Sequence, residues 1–215
     1  MFEIISKGIL ETLYMTVVST LFSYILGLPL GIALVITDKD GIAPHKKFNS
    51  ILGVIINLLR SVPFLILLIA VLPFTRLIVG TTIGSTATIV PLVIAAAPFI
   101  ARLVESSLKE VDKGVIEAAQ SMGCTSMQIV TKVLITEARP SLVVGSAIAI
   151  TTILSYSAMA GIVGGGGLGD IAIRYGYYRY QNDVMLVTVV LLVVIVQIFQ
   201  EVGMKLAKIG DKRIN

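Results

Sequence analysis

Residues Glu117–Thr136 read EAAQSMGCTSMQIVTKVLIT, and this stretch decides how the rest of the chain is read. Asp112–Gly114 marks a break before it. Val115, Ile116, Ala118, Ala119 and Met122 then form an apolar stripe at helical spacing. Gly123 is placed to end that helix in a left-handed conformation. Thr125 with Gln128 matches a capping box, so a second helix should start there and run through Lys132 toward Glu137. Ile129, Val130, Val133 and Leu134 supply its apolar face. The pattern predicts a helix–turn–helix. Apolar segments long enough to cross a bilayer lie on both sides, so this pair should lie across a membrane surface. Taken alone, the residues leave two roles open: a capped connector that covers a bundle, or a surface built to touch a partner in water.

The composition supports the membrane setting. Of 215 residues, 56% are hydrophobic and only 14% charged, against roughly 25% charged in a soluble domain. Mean hydropathy is +0.95. The length suggests one domain. The net charge of +4 comes from basic residues scattered among apolar spans, with no Trp and no aromatic–basic platform, so nucleic acid is not an expected partner. The single cysteine, Cys124, excludes an intrachain disulfide, and no Cys/His cluster could hold a metal. The one histidine, His45, reads as a solvated loop residue. Phe2–Ser6 lacks a basic opening and the apolar run continues well past signal-peptide length, so no cleaved signal is expected.

Five spans are expected: about 9–36, 51–72, 85–104, 141–163 and 184–204. Gly27, Pro29 and Gly31 should bend the first without ending it. The second contains Arg60 and Pro63; Pro73–Gly84 is read as a short connection; Pro91 and Pro98 lie inside the third. The polar loop 105–140 follows the third span, and a glycine- and tyrosine-rich connection follows the fourth. The membrane domain covers 8–204, with a basic tail over 205–215. Backbone polar groups must be satisfied internally in lipid, and the apolar runs lack period-two alternation, so the fold class is an all-α membrane protein. Small residues such as Ala95–Ala97, Ala147, Ala149, Ala158, Ala160 and Gly161 would permit close helix packing.

Orientation follows from charge. Lys39, Lys46, Lys47, Lys109, Lys113, Lys132, Arg139, Lys205, Lys208, Lys212 and Arg213 gather on one face, with Arg60 and Arg102 nearest it as snorkelling anchors. Only Lys7, Arg76, Arg174 and Arg179 belong to the other. Thirteen of 17 basic residues on one side place the N-terminus outside, and the 105–140 loop and the C-terminus in the cytoplasm. The spans are nearly free of charge at mid-depth. That disfavours a proton- or sodium-coupled carrier, and equally an enzyme, which would need convergent titratable groups.

The central loop resembles the EAA motif of type I ABC-importer permeases: EAA, three residues, Gly, nine residues, then I-x-L-P. Glu117, Ala118, Ala119 and Gly123 agree with it. After nine residues come Val133, Leu134, Ile135 and Thr136, so the proline is replaced and the second helix should run on toward Pro140. ETLYMT (Glu11–Thr16), LLRSVPF (Leu58–Phe64), AAPFIAR (Ala96–Arg102), YSAMAGIVGGGGLG (Tyr156–Gly169) and IRYGYYRY (Ile173–Tyr180) make the chain similar, within that class, to the methionine-importer permeases. The resemblance implies a homodimer in the bacterial inner membrane that is not itself an enzyme. Its coupling helix, carrying Glu117, Ala118, Ala119 and Gly123, would dock on one of two ATP-binding subunits. Those partners would hold ATP and magnesium, with no cofactor on this chain, and an extracytoplasmic methionine-binding protein would deliver the substrate. A permease for another polar amino acid is the alternative, with a charge-coupled secondary carrier behind it.

Gly164, Gly166 and Gly169 satisfy G-x-G-x-x-G, but they follow a membrane span instead of a strand, so a flexible or re-entrant outer turn is expected in place of a nucleotide site. No G-x-x-x-x-G-K-[ST] occurs, so any ATP must be bound elsewhere. Tyr175, Tyr177, Tyr178 and Tyr180 suit a membrane-interface belt, or a dock for an external binding protein. Ser155, Tyr156, Ser157 and Met159 end the fourth span; the resemblance makes them candidates for the pathway or its outer gate, and ordinary helix packing explains them equally well.

Overall fold

The computed structural model describes residues 2–210. No strand occurs among them. The main helices are α1 (Phe2–Ile36), α2 (Lys46–Ser61), α3 (Phe64–Val79), α4 (Ser85–Lys109), α5 (Lys113–Ser121), α8 (Arg139–Met159) and α10 (Asn182–Gly210). Between α5 and α8 lie α6 (Ser126–Gln128), a π-helical stretch (Ile129–Leu134) and α7 (Ile135–Glu137). Between α8 and α10 lie a 3₁₀ turn (Ala160–Val163), α9 (Gly167–Ile171) and a second π-helical stretch (Ala172–Tyr177). Lys212 and Arg213 of the expected basic tail lie outside the described residues, while Lys205 and Lys208 belong to α10.

Four helices are long and apolar enough to cross a membrane, and a bent pair brings the number to as many as five. The bent pair corrects the expected second span. The chain does not run straight from 51 to 72: α2 and α3 meet at 105°. Val62 takes the extended backbone favoured before proline (ψ 124°), and Pro63 can give no amide hydrogen to a continuing helix. Pro73 then sits inside α3, which ends only at Gly80 (φ 82°), so the expected Pro73–Gly84 connection shrinks to residues 80–84. Pro29, Pro91 and Pro98 are carried within unbroken helices, as expected of α1 and α4. α4 also runs to Lys109 instead of stopping at Val104.

The centre of the bundle is α1 against α4. α1 presents a row of small residues, Ser19, Ser23, Gly27 and Gly31, all buried. A Cβ on Gly27 would come within 2.8 Å of the Ala97 carbonyl oxygen, and one on Gly31 within 2.6 Å of that of Ala101. The two backbones approach this closely because lipid supplies no hydrophobic drive for association, and small residues maximise van der Waals contact instead. The core continues from Ala96, Ile100, Val104 and Leu108 into Ala119, Ile129, Val130 and Leu134, so the central polar loop is packed onto the end of α4.

The glycine-rich segment, expected as a flexible or re-entrant turn, folds back into the bundle and is not a loose turn. Gly167, Leu168, Gly169, Asp170 and Ile171 are buried, and the segment folds back against α8 and α1. The Glu11 carboxylate accepts from the Gly167 N–H (2.8 Å), and Thr12 Oγ1 accepts from the Leu168 N–H (2.9 Å). The Gly84 N–H donates to the Gly164 carbonyl (2.9 Å), and Thr88 Oγ1 donates to that of Gly165 (3.2 Å). Gly164, Gly166 and Gly167 all have φ between 76° and 81°, a region costly for side chains with a Cβ. Three glycines therefore build a tight buried knot.

Candidate functional site: the surface helix–turn–helix

The sequence places a helix over 115–122 and a second after 125, and both are present. Asp112 Oδ1 caps α5 by accepting from the Gly114 N–H (2.7 Å). Gly123 has φ 76°, as its position after α5 requires. Thr125 and Gln128 form the capping box: Thr125 N–H donates to Gln128 Oε1 (2.8 Å), and the Gln128 N–H to Thr125 Oγ1 (3.4 Å). The second helix runs on through its π-helical stretch to Glu137, turns at Ala138 (ψ −1°) and resumes as α8 with Pro140 in its first turn. Thr136, where the permease motif has proline, sits just past the π stretch, its hydroxyl 3.5 Å from the Thr131 carbonyl.

The apolar stripe of α5 divides between two faces. Ala119 is buried and Ile116 partly buried against the end of α4. Val115, Ala118 and Met122 face outward with Glu117, Gly123 and Met127. Met122 is 76% exposed and Met127 70%. Of the four motif residues, Glu117, Ala118 and Gly123 thus lie on one open surface, and Ala119 anchors it. A helix held by one small buried residue, with two methionines and a carboxylate pointing away, offers an adaptable surface patch.

Charged contacts missed in the sequence reading hold this helix pair to its surroundings. Lys109 Nζ lies 2.9 Å from both Asp38 Oδ2 and Glu105 Oε1. Arg102 pairs with Glu105 and donates to the Gly53 carbonyl (3.2 Å) and to Asn57 Oδ1 (2.8 Å) of α2. Arg102, expected as a snorkelling anchor, is thus a bracket between helices; Arg60 is exposed. Lys113 Nζ approaches Asp40 (3.9 Å). The i,i+3 and i,i+4 spacings of Arg102, Glu105 and Lys109 were visible in the sequence, but Asp38, Gly53 and Asn57 meet them only through the fold. The hydrogen bond from Lys109 holds the Asp38 carboxyl below its ordinary 3.8. Its contribution is therefore complete above that value and fades only as the pH falls through the lowered one.

The candidates at the end of the fourth span are scattered. Ser155 and Met159 are both exposed, one turn apart on α8. Tyr156 stacks on Phe64 at the start of α3, with centroids 4.4 Å apart. Ser157 is 1% exposed and donates to the Leu154 carbonyl (2.7 Å), so it does not share the Ser155–Met159 surface. Tyr177, Tyr178 and Tyr180 are exposed, and the Arg179 guanidinium lies 4.6 Å from the centroid of the Tyr175 ring. His45 caps α2, its Nδ1 accepting from the Phe48 N–H (3.3 Å).

An all-helical bundle with four or five helices able to cross a membrane and a packed polar helix pair is the architecture of a multi-pass membrane protein. The sequence matches the family described as the binding-protein-dependent transport system inner membrane component over residues 24–214. It is 53% identical over 203 residues to the probable D-methionine transport system permease protein MetI of Vibrio cholerae, covering 94% of this chain and 90% of that protein. It is 46% identical over 180 residues to the methionine import system permease protein MetP of Bacillus subtilis, covering 84% and 81%. A solved structure of the MetNI methionine ABC transporter in inward-facing conformations superposes with a TM-score of 0.97 at 47% identity, over 99% of this chain and 98% of that one. An amino acid ABC transporter shares the fold at 19% identity and a TM-score of 0.74, over 99% of this chain and 94% of that one. The chain belongs to the family of binding-protein-dependent transport inner membrane components, the permease subunits of ABC importers. Within that family it is a relative of the methionine-importer permeases.

Proposed function

We propose that this protein is the membrane-spanning subunit of an ATP-driven methionine importer. The likeness to methionine permeases, which extends over nearly the whole chain, carries this reading. Two copies form the pathway along their shared interface in the bacterial inner membrane. The N-terminus lies outside and the C-terminus in the cytoplasm, an orientation supported by the distribution of basic residues. Two ATP-binding subunits hold ATP and magnesium, and an extracytoplasmic binding protein delivers the amino acid. The chain itself binds no cofactor and catalyses no reaction. Uptake of labelled methionine into proteoliposomes holding the full complex should be ATP-dependent and competed by unlabelled methionine. Competition by other polar amino acids but not by methionine would sink the substrate assignment.

α5 is the coupling helix in this reading. Its exposed Val115, Glu117, Ala118, Met122 and Gly123 support a docking role, because an apolar face with small residues and an open turn suits close contact with a partner. Nothing lies within 4 Å of a Cβ placed on Gly123. Gly123→Asp therefore meets only the left-handed backbone penalty of about 1 kcal/mol, which Asp tolerates better than most residues. The variant should reach the membrane folded yet lose transport at least tenfold while ATP hydrolysis continues. Measured uptake per ATP hydrolysed decides it, and a wild-type ratio would remove the docking role.

A further inference from the structure

We propose that Lys109, held between Asp38 and Glu105, is a positioning residue that ties the coupling helix to α1 and α2 and passes a displacement of α5 to the bent α2–α3 pair. The inference rests on the coupling role proposed for α5.

Lys109 is the last residue of α4, and α5 begins at Lys113. The short link between them is anchored by buried Val111. A displacement of α5 is therefore delivered to the end of α4. From Lys109 two arms lead away. One is the ion pair to Asp38, in the loop joining α1 to α2. That loop is stiff: Gly41 N–H donates to Asp38 O (3.0 Å), Ala43 N–H to Ile36 O (2.9 Å) and His45 N–H to Thr37 O (3.0 Å). Asn49 of α2 donates back to Leu34 O (2.7 Å) and Thr37 Oγ1 (3.0 Å). The Lys113–Asp40 approach ties the start of α5 to the same loop. The second arm runs through Glu105 to Arg102, which grips Gly53 and Asn57 of α2.

Both arms converge on α2. Its buried Ile56 packs with Leu34 and Ala101, and the polar brackets add fixed joints beside that apolar contact. At its far end the Val62–Pro63 break leads to Phe64, stacked on Tyr156 of α8. A contiguous set of rigid pieces and discrete joints thus connects the partner-facing surface to the end of α8 where Ser155 and Met159 are exposed. The Lys109–Asp38 pair is partly exposed, and such pairs add little stability. Their use here is geometric, and the tie is a physical claim to be tested by function.

The test uses the full complex in proteoliposomes. Co-purification of an ATP-binding subunit with the wild-type permease is measured first; its absence would defeat the functional reading, independently of the tie. With the complex in hand, Lys109→Met should lower methionine taken up per ATP hydrolysed at least fivefold, with hydrolysis within twofold of wild type. Lys109→Arg, which keeps the charge and the reach, should restore it. Asp38→Asn, a near-isosteric change in an exposed loop, should lower the same ratio without loss of folded protein. Adding it to Lys109→Met should lower the ratio no further. A wild-type ratio in Lys109→Met or in Asp38→Asn overturns the proposal. So does a parallel fall of hydrolysis and uptake in Asp38→Asn, since impaired assembly moves both together.

Discussion

Gly31→Leu is expected to wedge α1 away from α4 and to destabilise the folded permease. A Cβ on Gly31 would sit 2.6 Å from the Ala101 carbonyl oxygen and 2.7 Å from Val104 Cβ. The obstacle is backbone on a buried helix, so no rotamer change relieves it. Overpacking a close-packed interior typically costs 1–3 kcal/mol, and a leucine forced against backbone belongs at the upper end, about 3 kcal/mol. In detergent this should lower the thermal midpoint by roughly 6–12 °C for a chain of this size. It should also reduce the monodisperse fraction on size exclusion. Gly27→Leu should behave alike, because its Cβ would meet Ala97 O at 2.8 Å and Ile100 Cβ at 2.9 Å. Wild-type thermal stability in Gly31→Leu would show that α1 and α4 are not packed at this register.

The second large effect is expected at the glycine knot. A Cβ on Gly169 would strike the Ala158 carbonyl oxygen, with Ala158 Cα at 2.6 Å, and one on Gly161 would strike the Gly169 carbonyl carbon. The end of α8 and the start of α9 are pressed backbone to backbone. Gly169→Val should push them apart and pull the buried segment off Glu11 and Thr12, unsatisfying the Gly167 and Leu168 N–H groups at once. An unsatisfied buried donor costs roughly 1–3 kcal/mol. Together with the clash, the loss should exceed that of any single contact in the knot. Gly80→Ala is the internal control. Gly80 has a left-handed backbone (φ 82°), which Gly169 does not, and nothing lies within 4 Å of its Cβ, so only the conformational cost of about 1–2 kcal/mol applies. The Gly169→Val midpoint should fall clearly further; equal values would mean that the close approach at Gly169 costs no more than a left-handed backbone.

These two sites show what could be read from the chain. The sequence marks Gly27 and Gly31 as a bend in the first span and assigns close packing to small residues of the third and fourth. That α1 packs on α4 through its own glycines is decided by the fold. The composition of the glycine run is that of a flexible or re-entrant turn, and it does not choose between them. Tertiary context decided this, since Glu11 and Thr12, far away in sequence, supply the acceptors that let such a segment be buried. The α2–α3 bend was missed for a related reason. Hydropathy runs smoothly through 51–72, and Pro63 marks a possible break without saying whether a neighbouring helix will straighten it, as happens at Pro29 and Pro91.

The surface helix pair divides in the same way. Short-range signals determined it: Asp112 as cap, Gly123 with φ 76°, and the Thr125–Gln128 box all follow from residues at most a few positions apart. Apolar length and charge content likewise determined, without any structure, that the chain is an all-helical membrane protein. Only the tertiary structure decided which half of the α5 stripe is buried, and that Lys109 sits between Asp38 and Glu105. Capping, turns and hydropathy act within one or two helical turns, so a sequence records them directly. Which face of a helix is covered, and which charges meet, depends on elements brought together from distant parts of the chain, and no local pattern encodes that.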